Sequence, residues 1–413
     1  MSRKGLFATE SDDLAEGDVA TAEIGTGEET GAVAELEVET VEGIDELSAD
    51  AGDIEVAADA GEQLEEVADG MQEAVDSGEG LTEVAAEAYR MALAAICKPL
   101  GANPSRFFQL YAKESFAAES ARLSNTSFAL EGVKEFMTDL YKRIKAALER
   151  LWKKVKTFWD KHISNLGRAQ KSLTAMKARV KKAGKLKGVP HLDNMPGSLA
   201  DSFQPSGELT PTEVNAVITA HQKLNDGVGR FATAIARLVE GYTKIAEGGK
   251  NLKLADKSEI SPFPKVTGLV GGYALEVIIE TDNKDEDSTA VTFTVNREVE
   301  SDASPDTSKG MLIPSKEVLG KMLTDAEAEL KKSITIRKNQ EKMEKEMVQA
   351  LQDMHSASQN DKIKNPKIVR KHMIELSRVS VFTVKFFSTM ASENIRLTRA
   401  VLGYTAYCLK SYN

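Results

Sequence analysis

A chain of 413 residues, 41% hydrophobic and 28% charged with two cysteines, has material for two or three cored domains and no disulfide framework. No apolar run reaches about 18 residues and the start MSRKGLFATESDD lacks an apolar centre, so the sequence predicts a soluble, intracellular protein without signal peptide or spanning helix. The net charge of −11 is unevenly divided: residues 1–131 carry 7 basic and 30 acidic side chains, the rest 46 basic and 34 acidic. A balance of −23 against +12 predicts an acidic tail and a body able to meet a polyanion.

Residues 1–80 are rich in Glu, Asp, Ala and Gly, with Phe7 as their one aromatic and Arg3 and Lys4 as their basic residues. Such a segment has little apolar area to set against chain entropy, and it is expected to be a disordered arm with transient helix around 61–74. The arm could be a plain solvating tail, could repel DNA, or could occupy a basic surface of its own molecule. Leu81–Cys97 is Ala-rich and helical, stopped by Lys98-Pro99. Arg106–Arg122 predicts a second short helix, and LSNTSFALEG a polar joint.

From Val133 to about Gly167 apolar residues recur at three- and four-residue steps, among them Phe136, Leu140, Ile144, Leu148, Trp152, Val155 and Trp159. Between Gly132 and Gly188 there are 17 basic and 4 acidic residues. Three readings compete: a bundle helix with solvated lysines, a polyanion-contacting face, and an interfacial membrane helix. Lys142, Lys145, Lys153, Lys154 and Lys156 are the candidate nucleic-acid contacts.

Residues 188–207, with Pro190, Pro196 and Pro205, read as a linker. Thr210-Pro211-Thr212-Glu213 is a helix start with proline in the first turn and glutamate three after the cap; Gly248-Gly249 ends that helix. Residues 264–300 hold the strand-like stretches ALEVIIET and TAVTFTVNREV around an acidic loop, predicting a β-hairpin. Gly268-Leu269-Val270-Gly271-Gly272 lacks the ending and following helix of a phosphate-binding loop and reads as a turn. Long helices follow over about 315–358 and 367–408; in the second, VSVFTVKFF is β-branched enough to allow a local strand or kink. Long helices with short connections predict an antiparallel bundle.

Cys97 and Cys408 sit among apolar residues as buried free thiols. His162, His191, His221, His355 and His372 lack partners at metal-ligand spacing, and no nucleophile motif occurs. The sequence therefore supports no catalytic, cofactor or metal residues.

The stretch Ser127-Phe128-Ala129-Leu130-Glu131-Gly132, followed by VKEFMTDLYKRIKAALERLWKKVKTFWDKHI, resembles internal virion proteins of giant phiKZ-like tailed bacteriophages, over about residues 105–165. The resemblance implies a propeptide removed by a phage prohead protease, which cuts after glutamate in a small-residue–x–Glu pattern. Ala129, Leu130 and Glu131 would precede the bond and Gly132 would become the new N-terminus; Ala8-Thr9-Glu10 and Ala117-Ala118-Glu119 also fit the pattern. Implied partners are the protease, other capsid-core or scaffold proteins, and packaged DNA held non-specifically. A membrane is the weaker alternative. The implied location is host cytoplasm during assembly and then the capsid interior, with the protein staying in the head or leaving with the genome. Rival readings are an unprocessed scaffold-like protein, a membrane-active or host-directed effector acting through the Trp/Lys helix, and an ejected enzyme with an unfamiliar site.

The expected architecture is mainly α: a disordered acidic arm (1–80), a short helical connector (81–131), a basic amphipathic segment (132–188), and a long-helix bundle (208–413) with a small β-hairpin insertion.

Overall fold

The computed structural model of the chain describes residues 28–102, 116, 118–248, 263, 265–285, 288–299, 307–358 and 366–413. Among these are seven helices: α1 (Glu28–Asp76), α2 (Glu83–Cys97), α3 (Glu119–Lys182), α4 (Gly197–Phe203), α5 (Pro211–Gly248), α6 (Lys316–Ser358) and α7 (Pro366–Cys408). Five strands accompany them: β1 (His191–Leu192), β2 (Val266–Leu269), β3 (Tyr273–Asp285), β4 (Ser288–Val299) and β5 (Met311–Leu312). The expected mainly α, long-helix bundle with a small β-hairpin is what the chain forms.

The bundle is built around α7. It packs against α1 and α3, and also against α5 and α6. A helix covered on so many sides needs an apolar surface all round, and Val379, Val381, Phe386, Phe387, Met390, Leu397 and Val401 are all buried. The stretch VSVFTVKFF stays helical without a strand. Its buried hydroxyls are accommodated within the helix: Ser377, Ser380 and Thr383 donate to the carbonyls four residues earlier at 2.7–2.8 Å. One polar knot crosses the core. Asn225 of α5 donates to Glu329 of α6 at 2.8 Å and to Asn394 of α7 at 2.7 Å, and Asn394 donates to Ser333 at 3.1 Å.

The start of α5 forms the reciprocal cap that its sequence predicts. Thr210 N–H donates to Glu213 Oε2 at 2.8 Å, and Glu213 N–H to Thr210 Oγ1 at 3.3 Å. Strands β2, β3 and β4 form an antiparallel sheet in that order, with β3 and β4 paired from Tyr273↔Val299 to Asp285↔Ser288. The ribbon thus runs into the acidic stretch expected to be a loop. Gly271 and Gly272 have φ of 81° and 67° and make the β2–β3 turn.

Three expectations are corrected. Residues 28–76 form α1, a 49-residue helix, where a disordered arm was expected; residues 1–27 lie outside the described residues. The composition argument failed because α1 buries its apolar side on the rest of the chain rather than within itself. The joint LSNTSFALEG is helical, since α3 begins at Glu119 and continues to Lys182, about 96 Å at 1.5 Å per residue. Of the short helix expected over 106–122, residues 106–115 lie outside the described residues. The linker at 188–207 contains β1, paired with β5, and α4, whose Leu199, Ala200 and Phe203 are buried.

Candidate functional site

α1 carries 18 acidic residues and no basic one. It lies along both α3 and α7, and both of those helices present cations to it in antiparallel order. On α7, Arg370 Nε meets Glu65 at 2.6 Å, Arg378 meets Asp59 and Glu62 at 2.8 and 2.7 Å, and Lys385 meets Glu55 at 2.8 Å. At the far end Glu37 accepts Arg399 at 3.0 Å, with Arg396 at 3.6 Å. On α3, Lys154 meets Asp50 at 2.6 Å, Lys161 lies 4.0 Å from Glu39, and Lys134 donates to Gln72 at 3.0 Å. Most of these pairs are partly exposed and contribute little each. Glu65 is the buried exception: it also accepts the Tyr141 hydroxyl at 3.0 Å. Burial with the Glu65 carboxylate beside it pushes the Tyr141 hydroxyl well above its usual range.

Between the cation rows the floor is apolar. Leu47, Ala51, Ile54, Ala58, Leu64 and Met71 of α1 are buried in one cluster with Leu140, Trp152, Val155 and Ile374. Small residues of α1 let the helices close up. A Cβ on Gly43 would lie 2.7 Å from the Phe158 ring, and one on Gly61 3.2 Å from Ile374 Cδ1. The Ala and Gly that read as disorder are contact residues. Outward from the groove, Glu42, Glu46, Asp53, Glu66, Glu73 and Asp76 are exposed.

The candidate cut lies inside α3. Ala129 and Leu130 are buried, 2% and 4% exposed, Glu131 is exposed, and Val133 on the other side of the bond is buried. The turn before it is tied down: Leu81 N–H donates to Thr126 Oγ1 at 2.8 Å, and that hydroxyl donates to Arg122 O at 2.7 Å. A protease that takes an extended strand reaches this bond only when the start of α3 opens.

Lys142, Lys153, Lys154 and Lys156 are exposed and Lys145 is half-buried, and Lys154 points to a different side of α3 from the other four. Lys154 is turned to α1 and paired with Asp50. Lys142 pairs with Asp139 at 3.3 Å. Lys145 and Lys142 lie close enough to His355 of α6 to lower its pKa, after the larger effect of burial, and Lys156 helps to hold down Glu344 of α6, whose burial pushes it up. Trp152 and Trp159 are both buried, so the aromatic stripe belongs to the core. Sequence reasoning missed Arg370, Arg378, Lys385, Arg396 and Arg399. Their regular recurrence along an otherwise apolar helix was the available signal.

Cys97 and Cys408 are buried free thiols. Burial lowers His162 and His221 to about 4, keeping both rings neutral. Among the described residues no group of three or more His, Cys, Asp or Glu is placed to hold a metal ion, and no helix is long and apolar enough to cross a membrane. An open groove of about 610 Å³ beside α5 and β2 is lined by charges of both signs, including Lys223, Arg230, Asp226 and Glu213, and selects no ligand class.

The family model of phiKZ-like phage internal head proteins matches residues 34–413, from early in α1 to the end of the sequence. The chain belongs to that family. Membership assigns this internal head protein a structural role in the virion, and the match reaches far beyond the 105–165 on which the resemblance rested. It spans α1, the candidate cut and the bundle alike. No curated protein and no solved structure matches the chain.

Proposed function

We propose that this internal head protein is made as a precursor whose acidic leader masks a basic body, and that a prohead protease separates the two after Glu131. The observation that carries the reading is the pairing of α1, with its 18 acids, against cations of α3 and α7. The inner acids anchor the leader, and the outer acids give the precursor a surface that repels nucleic acid. The precursor then assembles with capsid-core or scaffold proteins in an empty head without trapping DNA. Loss of residues 1–131 leaves a body of balance +12 to sit against packaged DNA through salt-sensitive, non-specific contacts.

The role is structural, not catalytic, and the site of action is the capsid interior. Chain scission and unmasking are separate steps in this scheme. A cut at Glu131 divides α3 near its start, while α1 stays gripped by the groove until it unfolds or is degraded.

The test is duplex-DNA affinity of the full chain with its outward α1 acids changed to amides (Glu42→Gln, Glu46→Gln, Asp53→Asn, Glu66→Gln, Glu73→Gln, Asp76→Asn). At low salt the affinity should rise at least tenfold and fall steeply as salt is added. Unchanged affinity would remove the masking reading.

A further inference from the structure

The lysines best placed to touch a phosphate backbone lie elsewhere than along the middle of α3. At Lys182 that helix ends, and the next residues are stitched to the last residues of the sequence. Gly184 N–H donates to Asn413 O at 2.8 Å, Asn413 N–H to Lys185 O at 3.1 Å, and Lys187 N–H to Ser411 O at 2.8 Å. Leu186 and Tyr412 form an antiparallel bridge. Tyr412 is buried, and its hydroxyl donates to Pro314 O at 2.5 Å, fixing the knuckle to the segment before α6. Lys316 closes it from the other side by donating to Ala183 O at 2.8 Å.

On this rigid knuckle Lys181, Lys182, Lys185, Lys187 and Lys410 are exposed. Residues 181–187 hold four lysines and no acid. Lys181 and Lys182 are accounted for in part by the negative end of the α3 dipole. Lys185 and Lys187 lie beyond the helix and have no such role, whereas Lys410 sits in the 3-10 turn 409–411 that continues α7, with its ammonium 5.1 Å from the Tyr407 ring centroid. Among the described residues, the α1 acids nearest this end that pair with the bundle are Glu39, with Lys161 of α3, and Glu37, with Arg396 and Arg399 of α7. Glu317 is one acid near Tyr412, held by the Ser315 hydroxyl and its own backbone.

We infer that this C-terminal knuckle is the nucleic-acid contact of the protein, binding the phosphodiester backbone of duplex DNA without reading sequence. The inference rests on the proposal that the body meets DNA and names the surface that does so. Two features select a phosphate backbone over an acidic helix. The backbone presents charge without an apolar face, and the knuckle shows a few apolar side chains, the half-buried Leu186, Tyr407 and Leu409 and the exposed Val189, rather than a continuous apolar floor. The groove under α1 has both cations and floor, which suits the amphipathic helix it holds.

The test uses the full chain carrying the outward α1 amide substitutions, with duplex DNA and phosphatidylglycerol vesicles as probes over a salt series. One variant adds K181Q, K182Q, K185Q, K187Q and K410Q; the other adds K142Q, K145Q, K153Q and K156Q. Loss of five phosphate contacts should reduce the slope of log affinity against log salt by about 4 and weaken binding at low salt at least tenfold. The second set should change affinity by less than about twofold. If the α3 set weakens binding and the knuckle set does not, the knuckle assignment is overturned while the DNA reading stands. If the parent chain never binds DNA, that reading fails and takes the knuckle with it. Knuckle-dependent binding to vesicles with knuckle-independent binding to DNA would overturn the assignment in favour of a lipid surface.

Discussion

Arg370 Nε lies 2.6 Å from Glu65 Oε1, joining residues 305 positions apart and tying the acidic helix to the start of α7. Tyr141 of α3 donates to the same oxygen at 3.0 Å, so three helices meet on one carboxylate. The Glu65 and Arg370 side chains are 10% and 21% exposed, the least exposed ion pair between α1 and α7 among the described residues. Arg370→Met leaves that carboxylate buried with the tyrosine as its remaining partner. The expected loss is about 2–4 kcal/mol in urea unfolding. Lys385→Met, which breaks a pair whose carboxylate is half exposed, should cost less than about 1 kcal/mol.

The grip on α1 does not depend on the peptide connection. Burial of Leu47, Ile54, Leu64 and Met71 alone contributes about 6–12 kcal/mol of gross hydrophobic stabilisation. A protein with an engineered protease site at 131–132, cut under native conditions, should therefore co-elute as two chains in size exclusion and separate in denaturant. Separation on cutting alone would show that the groove contributes little.

Cleavage should be limited by opening of the α3 start. Thr126→Val removes the acceptor for the Leu81 N–H in a buried setting, a loss of about 1–3 kcal/mol. Cutting at Glu131 should accelerate several-fold, read by gel densitometry, with no change at an unstructured control site. An unaltered rate would place the cut before folding.

How much of this was legible in sequence depends on where each partner lies. The capping residues Thr210 and Glu213 are local, and so is the Trp152/Trp159 stripe; both were readable from spacing. α1 was not, because its justification is distributed: the cations that hold it come from α3 and from residues 370–399, and its glycines at 43 and 61 make sense only once Phe158 and Ile374 are placed above them. Likewise Lys185 and Lys187 join Lys410 only through backbone pairing between residues far apart in the chain. Charge asymmetry was visible in the sequence; the surface that receives the charge was not.

Acid should loosen the bundle through two buried histidines. His162 and His221 are lowered to about 4 from 6.5 by burial, so the unfolded chain binds more protons between those values. Stability is full above about pH 6.5 and falls as pH drops toward 4, by up to roughly 3 kcal/mol per histidine. Glu327, held at about 2 by Lys177 and then Lys331, adds its loss below about 4.5. Urea midpoints measured from pH 7.5 to 4.5 should follow this slope. His162→Gln, which does not titrate, should flatten it relative to the parent; an unchanged slope would exclude that histidine.

The most direct measurement is the N-terminal residue of the chain recovered from mature particles. The masked-precursor account predicts Gly132, with peptides from α1 depleted relative to those from α7. A chain that still begins at Met1 or Ser2, with α1 present in full proportion, would contradict it.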